Sequence, residues 1–171
     1  MEIIVSKDIK LREWRKSDQK SLASLANNQH IANFMMDSFP HPYTEKDAEE
    51  WINMCLKETK NPLFVIERKG ELIGGIGGHI KDDIHRYNAE LGYWIAENYW
   101  NKGIISKAIG VFCSHLFSNY KINRIYADVF STNPASGKVL EKNGFIQEGL
   151  LKKAAYKNGL FIDLLVYSKL K

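Results

Sequence analysis

The spacing of hydrophobic positions switches along the chain between two residues and about 3.6, and each switch marks an element. Residues 3–14 follow an extended pattern, and Ser17 then stands where a helix cap belongs, ahead of a face made by Leu22, Leu25 and Ala26. Thr44-Glu45-Lys46-Asp47 has the form of a capping box, and Ala48, Trp51, Ile52, Cys55 and Leu56 continue it as an apolar helical stripe. Residues 63–67 and 72–80 flank Arg68-Lys69-Gly70-Glu71 as the arms of a hairpin, and residues 88–96 form a further strand. The strongest helical pattern covers residues 104–120, with Ile105, Ala108, Ile109, Phe112 and Leu116 on one stripe, widened by Cys113, Phe117 and Tyr120. A β-rich run at 125–130 leads to Asn133-Pro134, a brief helix over 135–142 and a stop at Asn143-Gly144. Strands over 145–156 and 160–168 close the chain around Lys157-Asn158-Gly159, where Asn-Gly supplies the two left-handed residues of a tight hairpin turn.

This order predicts an α+β fold with a mixed sheet, since a Rossmann domain would alternate strand and helix from its start. At 171 residues the chain reads as a single domain over 1–171 with enough length for its own core. Two stretches depart from clean periodicity. Residues 28–43 carry Ile31, Phe34, Met35, Met36, Phe39 and Tyr43 among two prolines and two histidines. They read either as a loop covering the core or as an apolar pocket wall, in which Phe34, Met35, Phe39 and Tyr43 are the substrate-binding candidates. Gly74-Gly75-Ile76-Gly77-Gly78 invites a nucleotide-loop reading, but its spacing is not GxGxxG and no helix pattern follows it. Glycines within a strand mark a bulge or a close backbone approach instead.

Charge narrows the function classes. The net charge is +4, and the last 21 residues carry all of it, through Lys152, Lys153, Lys157, Lys169 and Lys171 against Asp163. The first 150 residues therefore balance, which does not suit nucleic-acid binding. No run approaches the roughly 18 apolar residues of a membrane span, and no signal-peptide pattern opens the chain. Cys55 and Cys113 lie far apart within helical patterns, so both read as reduced core thiols of a cytoplasmic protein. Cys113 and His115 point apart on a helix, which argues against a metal site and leaves His115 exposed.

The candidate chemistry centres on residues 90–108. An apolar strand ends in a polar elbow, and the following helix is entered through Lys102-Gly103. A helix start offers backbone N–H groups without intrahelical partners at its electropositive end, and a glycine there lets an anion approach. The stretch thus reads as a diphosphate cradle or as an ordinary crossover whose glycine relaxes a turn.

Four pieces taken together resemble the GNAT acetyltransferases, in the branch of ribosomal-protein N-terminal (RimJ/RimL-like) enzymes. They are the strand Glu90-Leu91-Gly92-Tyr93-Trp94-Ile95, the run from Tyr99 to Ala108, Asn133-Pro134-Ala135-Ser136, and Gly144-Phe145 with Glu148-Gly149. The resemblance implies a mixed, mostly antiparallel sheet with a splayed parallel strand pair, flanked by helices, and acetyl-CoA as co-substrate without a metal. It implies that pantetheine pairs with the strand through Trp94, Ile95 and Ala96. The pyrophosphate then rests on the amides of Trp100, Asn101, Lys102, Gly103, Ile104, Ile105 and Ser106. Asn133 and Lys138 are the further cofactor contacts, although Asn133 also suits a helix cap and Lys138 a solvated face. The family writes the elbow as Gln/Arg-x-x-Gly-x-Gly/Ala; Trp100 and Ile105 depart from that pattern while the backbone donors remain. Family members are often dimers, so a homo-oligomer is expected.

Acyl transfer to an amine needs a neutral amine, a polarised thioester and a proton for the departing thiolate. Glu90 is the candidate base, acting through water, or else a surface strand glutamate. The tyrosine that many family members use as acid is replaced by Leu140, and in the RimJ/RimL-like branch a serine in Asn-x-x-Ser takes that role, which maps onto Ser136. The expected acceptor is a protein or peptide N-terminal α-amine. Polyamines, amino acids, antibiotic amines and a non-catalytic acyl-CoA sensor are the alternatives.

Overall fold

A computed structural model describes Met1–Lys171. Eight strands form one sheet in the order β1-β2-β3-β4-β5-β6-β8-β7. They are β1 Glu2–Ser6, β2 Ile9–Arg12, β3 Leu63–Arg68, β4 Glu71–Ile80, β5 Asn88–Ile95, β6 Arg124–Phe130, β7 Ile146–Lys157 and β8 Leu160–Leu170. The helices are α1 Gln19–Ala26, α2 Gln29–Ala32, α3 Glu45–Lys57, α4 Ile104–Asn119 and α5 Pro134–Lys142. The mixed α+β architecture with one parallel pair, β5 with β6, is the one expected. None of the helices is long and apolar enough to cross a membrane. The chain folds as two compact units, residues 1–77 with 93–108, and residues 78–92 with 109–171.

In the first unit the opening extended run is two strands, because Lys7-Asp8 turns the chain and β1 pairs antiparallel with β2. Ser17 does not cap α1. A 3-10 turn over Lys16–Asp18 precedes the helix, and the Asp18 carboxylate accepts from the Arg15 N–H at 2.8 Å. An ionised carboxylate is a stronger acceptor than a hydroxyl, and Asp18 is further fixed by Arg12, whose two terminal nitrogens each donate to it at 2.8 Å. Arg12 also pairs with Glu67 on β3, and all three side chains are buried. Replacing Arg12 with alanine is expected to cost about 3–5 kcal/mol of stability, because two buried carboxylates lose their partner. Urea unfolding should show the loss shrinking toward acid pH: burial opposes charge on Glu67, but the bonds from Arg12 and Lys10 hold its pKa below the ordinary value, and that stabilisation is lost as Glu67 protonates.

Trp14, Leu22, Ala26, Tyr43, Ala48, Ile52, Val65 and Leu72 make the core of this unit, with Phe39, Trp51 and Trp94 packed against it. The capping box of α3 is present, with the Asp47 N–H donating to Thr44 Oγ1 at 3.2 Å and the Thr44 N–H to the Asp47 carboxylate at 2.7 Å. The glycine run of β4 marks a close approach of backbone. A Cβ on Gly74 would stand 2.4 Å from the Trp94 carbonyl oxygen and 2.9 Å from Ile95 Cα.

In the second unit β6 pairs along its whole length with β8, and β7 and β8 form the expected hairpin, with Asn158 at φ +51° and Gly159 at φ +82°. The parallel ladder of β5 with β6 holds three pairs only, Asn88 with Arg124, Ala89 with Ile125 and Glu90 with Tyr126. Phe112, Leu116, Ile125 and Leu140 are fully buried. Gly144 ends α5 at φ +79°, and the Phe145 N–H closes the helix end onto the Leu140 carbonyl at 3.1 Å. Cys113 is a free, buried thiol pushed up to about 12 by burial. His115 is half-buried rather than exposed, because its ring lies edge-on against Tyr120 with centroids 5.9 Å apart, and desolvation lowers its pKa.

Candidate active site

The elbow after β5 is built from local bonds. A 3-10 turn over Glu97–Tyr99 is closed by the Tyr99 N–H to the Ala96 carbonyl at 2.9 Å and the Trp100 N–H to the Glu97 carbonyl at 3.0 Å. Glu97 accepts from Asn28 Nδ2 at 2.6 Å and meets His30 Nδ1 at 2.9 Å, which ties the start of α2 to this turn and lowers the Glu97 pKa. Asn101 (φ +58°) and Gly103 (φ +70°) then turn the chain into α4. The Lys107 N–H donates to the Gly103 carbonyl at 3.2 Å at the start of α4, the end at which a helix offers its backbone N–H groups outward. No heavy atom lies within 4 Å of a Cβ placed on Gly103. The glycine therefore answers its backbone angle, and the space over the helix start is open.

Trp100, which stands where the family has Gln or Arg, donates its indole N–H to the Ile95 carbonyl at 2.8 Å and so braces the elbow against the strand end. Tyr99 has Lys102 at 5.6 Å and Arg68 at 5.8 Å from its ring centre. Arg68 adds a cation beside the elbow that sequence reasoning did not single out. Of the strand residues expected to meet pantetheine, Trp94 is half-buried and Ile95 and Ala96 are buried. The Ala96 N–H is already donated to the Ile73 carbonyl at 2.8 Å, which withdraws that donor from any cofactor. Ile104 is buried, Ile105 and Ser106 are half-buried, and Asn101, Lys102 and Gly103 are exposed.

The acceptor candidates separate by burial. Tyr43 is a core residue, 7% exposed, with its hydroxyl pushed up to about 12 chiefly by burial. Phe39 packs on Tyr43 at 4.9 Å and on Trp94 at 5.9 Å between ring centres. Met35 is half-buried and Phe34 exposed. The segment also holds the short helix α2, capped by the Asn28 side chain on the N–H groups of His30 and Ile31.

In the second unit Glu90 is one member of a cluster. Its carboxylate pairs with the Lys81 ammonium and accepts from the Tyr126 hydroxyl at 3.3 Å, and Lys81 lies 5.7 Å from the Tyr126 ring centre. The bond to Glu90 raises the Lys81 pKa, and desolvation raises that of Tyr126, so at neutral pH one is an ammonium and the other a phenol. Asp128 lies two residues further along β6. Lys81, Tyr126 and Asp128 escaped sequence reasoning because only strand register brings them to Glu90. On α5, the Asn133 side chain caps the helix by accepting from the Ser136 N–H at 3.2 Å. Ser136 is half-buried, Lys138 is exposed, and Leu140 fills the core where a tyrosine hydroxyl would otherwise stand.

A sheet with one short parallel ladder and a glycine-entered helix following its strand is the frame of the acyltransferase class whose family model this chain matches. Residues 8–146 match the acetyltransferase (GNAT) domain, and the chain belongs to that family. It is 33% identical over 108 residues to the ribosomal-protein-serine acetyltransferase of Escherichia coli, covering 63% of this chain and 60% of that protein. Among solved structures it is similar to RimL, a ribosomal-protein α-N-acetyltransferase in complex with coenzyme A, at a TM-score of 0.90, with 23% identity over 99% of this chain and 98% of that one. It is also similar to the spermidine N-acetyltransferase of Vibrio cholerae in complex with CoA and spermine, at a TM-score of 0.82, with 27% identity over 96% of each chain. The protein is an acetyl-CoA-dependent N-acetyltransferase.

Proposed function

We propose that the acceptor is the N-terminal α-amine of a protein or peptide, in the manner of a ribosomal-protein acetyltransferase. The observation that carries this is the make-up of the Glu90 cluster. Lys81 is held protonated and Tyr126 is a neutral phenol, so carboxylates are its only bases. An α-amine with a pKa of about 7.7–8.0 is roughly 10–20% neutral at pH 7, whereas a lysine amine at about 10.4 is neutral for only roughly 0.04% of the time. A carboxylate suits the first acceptor far better than the second. The likeness to the E. coli ribosomal-protein-serine acetyltransferase supports the same reading.

In this reaction the elbow amides from Asn101 to Ser106 hold the CoA pyrophosphate, with Lys102 and Arg68 adding positive charge, while the Trp100 N–H is already donated to the Glu97 carbonyl and takes no part. The amine's proton leaves toward the Glu90 cluster, and the Ser136 hydroxyl protonates the departing thiolate. A polyamine acceptor is the second reading, favoured by the likeness to spermidine N-acetyltransferase. Mass spectrometry of acetyl-CoA-dependent acetylation separates the two when peptides with free N-termini are offered beside spermidine and free amino acids. Acetylated peptide α-amines are the expected product. Turnover of spermidine with none of peptides would replace the first reading by the second.

A further inference from the structure

Resting on that acetyl-transfer reading, we propose that Asp128 takes the proton from the acceptor amine and that Glu90 is a positioning residue for it. The argument starts from the faces of β6. Ile125, Ala127 and Val129 are buried on one side, so Tyr126 and Asp128 share the other, open side. Tyr126 belongs to the last pair of the parallel ladder, opposite Glu90, and its hydroxyl reaches the Glu90 carboxylate. Asp128 is therefore the first side chain on the open face beyond the point where the ladder stops.

Its surroundings differ from those of Glu90 in two respects. Glu90 is already engaged by the Lys81 ammonium and the Tyr126 hydroxyl. The Asp128 side chain is exposed and makes no hydrogen bond or ion pair of its own. The next residue on the Glu90 face of β5 is Gly92, where a Cβ would find no heavy atom within 4 Å. The strand thus presents no side chain there, and an amine has room to enter. The charged and titratable groups about Asp128 are Glu90 on β5, Lys81 just past the end of β4 and Tyr126 on β6, while its partner on β8 is Val166. Although the residue as a whole is exposed, partial desolvation of its carboxyl first, and the Glu90 charge second, push its pKa up from the ordinary aspartate range. That makes Asp128 a better proton acceptor than an isolated aspartate.

The step balances as follows. The acceptor ammonium gives one proton to the Asp128 carboxylate, and the freed lone pair forms the C–N bond to the acetyl carbon. The C–S bond breaks with its electron pair on sulfur, and the CoA thiolate takes a proton from the Ser136 hydroxyl, which solvent restores. The second amine proton leaves to solvent as the amide forms.

The test measures kcat against pH for the wild type, Asp128→Asn and Glu90→Gln, with an acceptor that the wild type turns over, alongside calorimetric CoA binding. Asp128→Asn should lose about 10²-fold in kcat at pH 6–7. Its acidic limb should move up to the pKa of the acceptor amine, so that the loss shrinks at high pH. Glu90→Gln should shift the limb the other way, to lower pH, because the charge that raises Asp128 is gone. CoA affinity should hold in both, and Asp128→Glu should recover part of the rate. A limb that moves up to the amine pKa in Glu90→Gln, while Asp128→Asn stays near wild type, would overturn the assignment and return the base role to Glu90. A wild type inactive on every primary amine would overturn the acetyl-transfer reading and the Asp128 role together.

Discussion

Ser136→Ala is expected to slow turnover by about 10²–10⁴-fold, the span of a positioned general acid. The position that carries a tyrosine acid in many relatives is Leu140, whose side chain is fully buried and brings no hydroxyl. Ser136 lies one helical turn before it on α5 and is half-buried. The helix should survive the change, because the side chain that caps it is Asn133, which accepts from the backbone N–H of residue 136 and not from its hydroxyl. The rate loss should persist at high pH, since a neutral amine does nothing for the leaving thiolate. This separates it from loss of the base, whose effect fades as the amine deprotonates. Steady-state rates from pH 6 to 9, with CoA affinity measured on the same protein, check both points. Near-normal turnover in Ser136→Ala would leave Ser136 as a plain helix residue, with water protonating the thiolate.

The second large effect is expected at the elbow. Gly103→Val should weaken CoA binding by about 10²-fold, because a β-branched residue at φ +70° costs about 1–3 kcal/mol and a tenfold change is about 1.4 kcal/mol. No atom beyond the chain neighbours lies within 4 Å of a Cβ at Gly103, so the valine side chain extends over the approach to the helix-start donors. Lys102→Ala should change affinity by less than about tenfold, since an exposed cation contributes about 0–1 kcal/mol. Isothermal titration with CoA measures both, and circular dichroism confirms that each variant is folded. Equal and small effects would remove the elbow from the binding site.

The elements of this chain were legible because their signals are local. The Thr44–Asp47 capping box, the Asn158-Gly159 turn, the strong stripe of α4 and the glycine entry at Gly103 each rest on spacings of a few residues. The misreadings were of the opposite kind. Ser17 looked like a cap because sequence weighs only neighbours, whereas Asp18 is recruited by Arg12, itself held by Glu67 from 55 residues away. The pattern leaves Phe39 and Tyr43 open as pocket wall or core, and it is tertiary packing that buries Tyr43 in the core of the first unit and lays Phe39 against Tyr43 and Trp94.

What the sequence by itself determined is most of the strands and helices, the hairpin turns and the glycine entry of α4, since backbone angles, caps and hydrophobic period are encoded within a turn or two; the division of the opening run into β1 and β2 and the short helix α2 were not legible in it. Only the tertiary structure decided what surrounds the catalytic candidates. Tyr126 reaches Glu90 across 36 residues, Lys81 comes to both from the loop after β4, and Asp128 gains its place through the side alternation of β6. Those contacts depend on strand register, which is set by how whole faces bury against one another; a shift of one residue would turn Tyr126 and Asp128 to the opposite side.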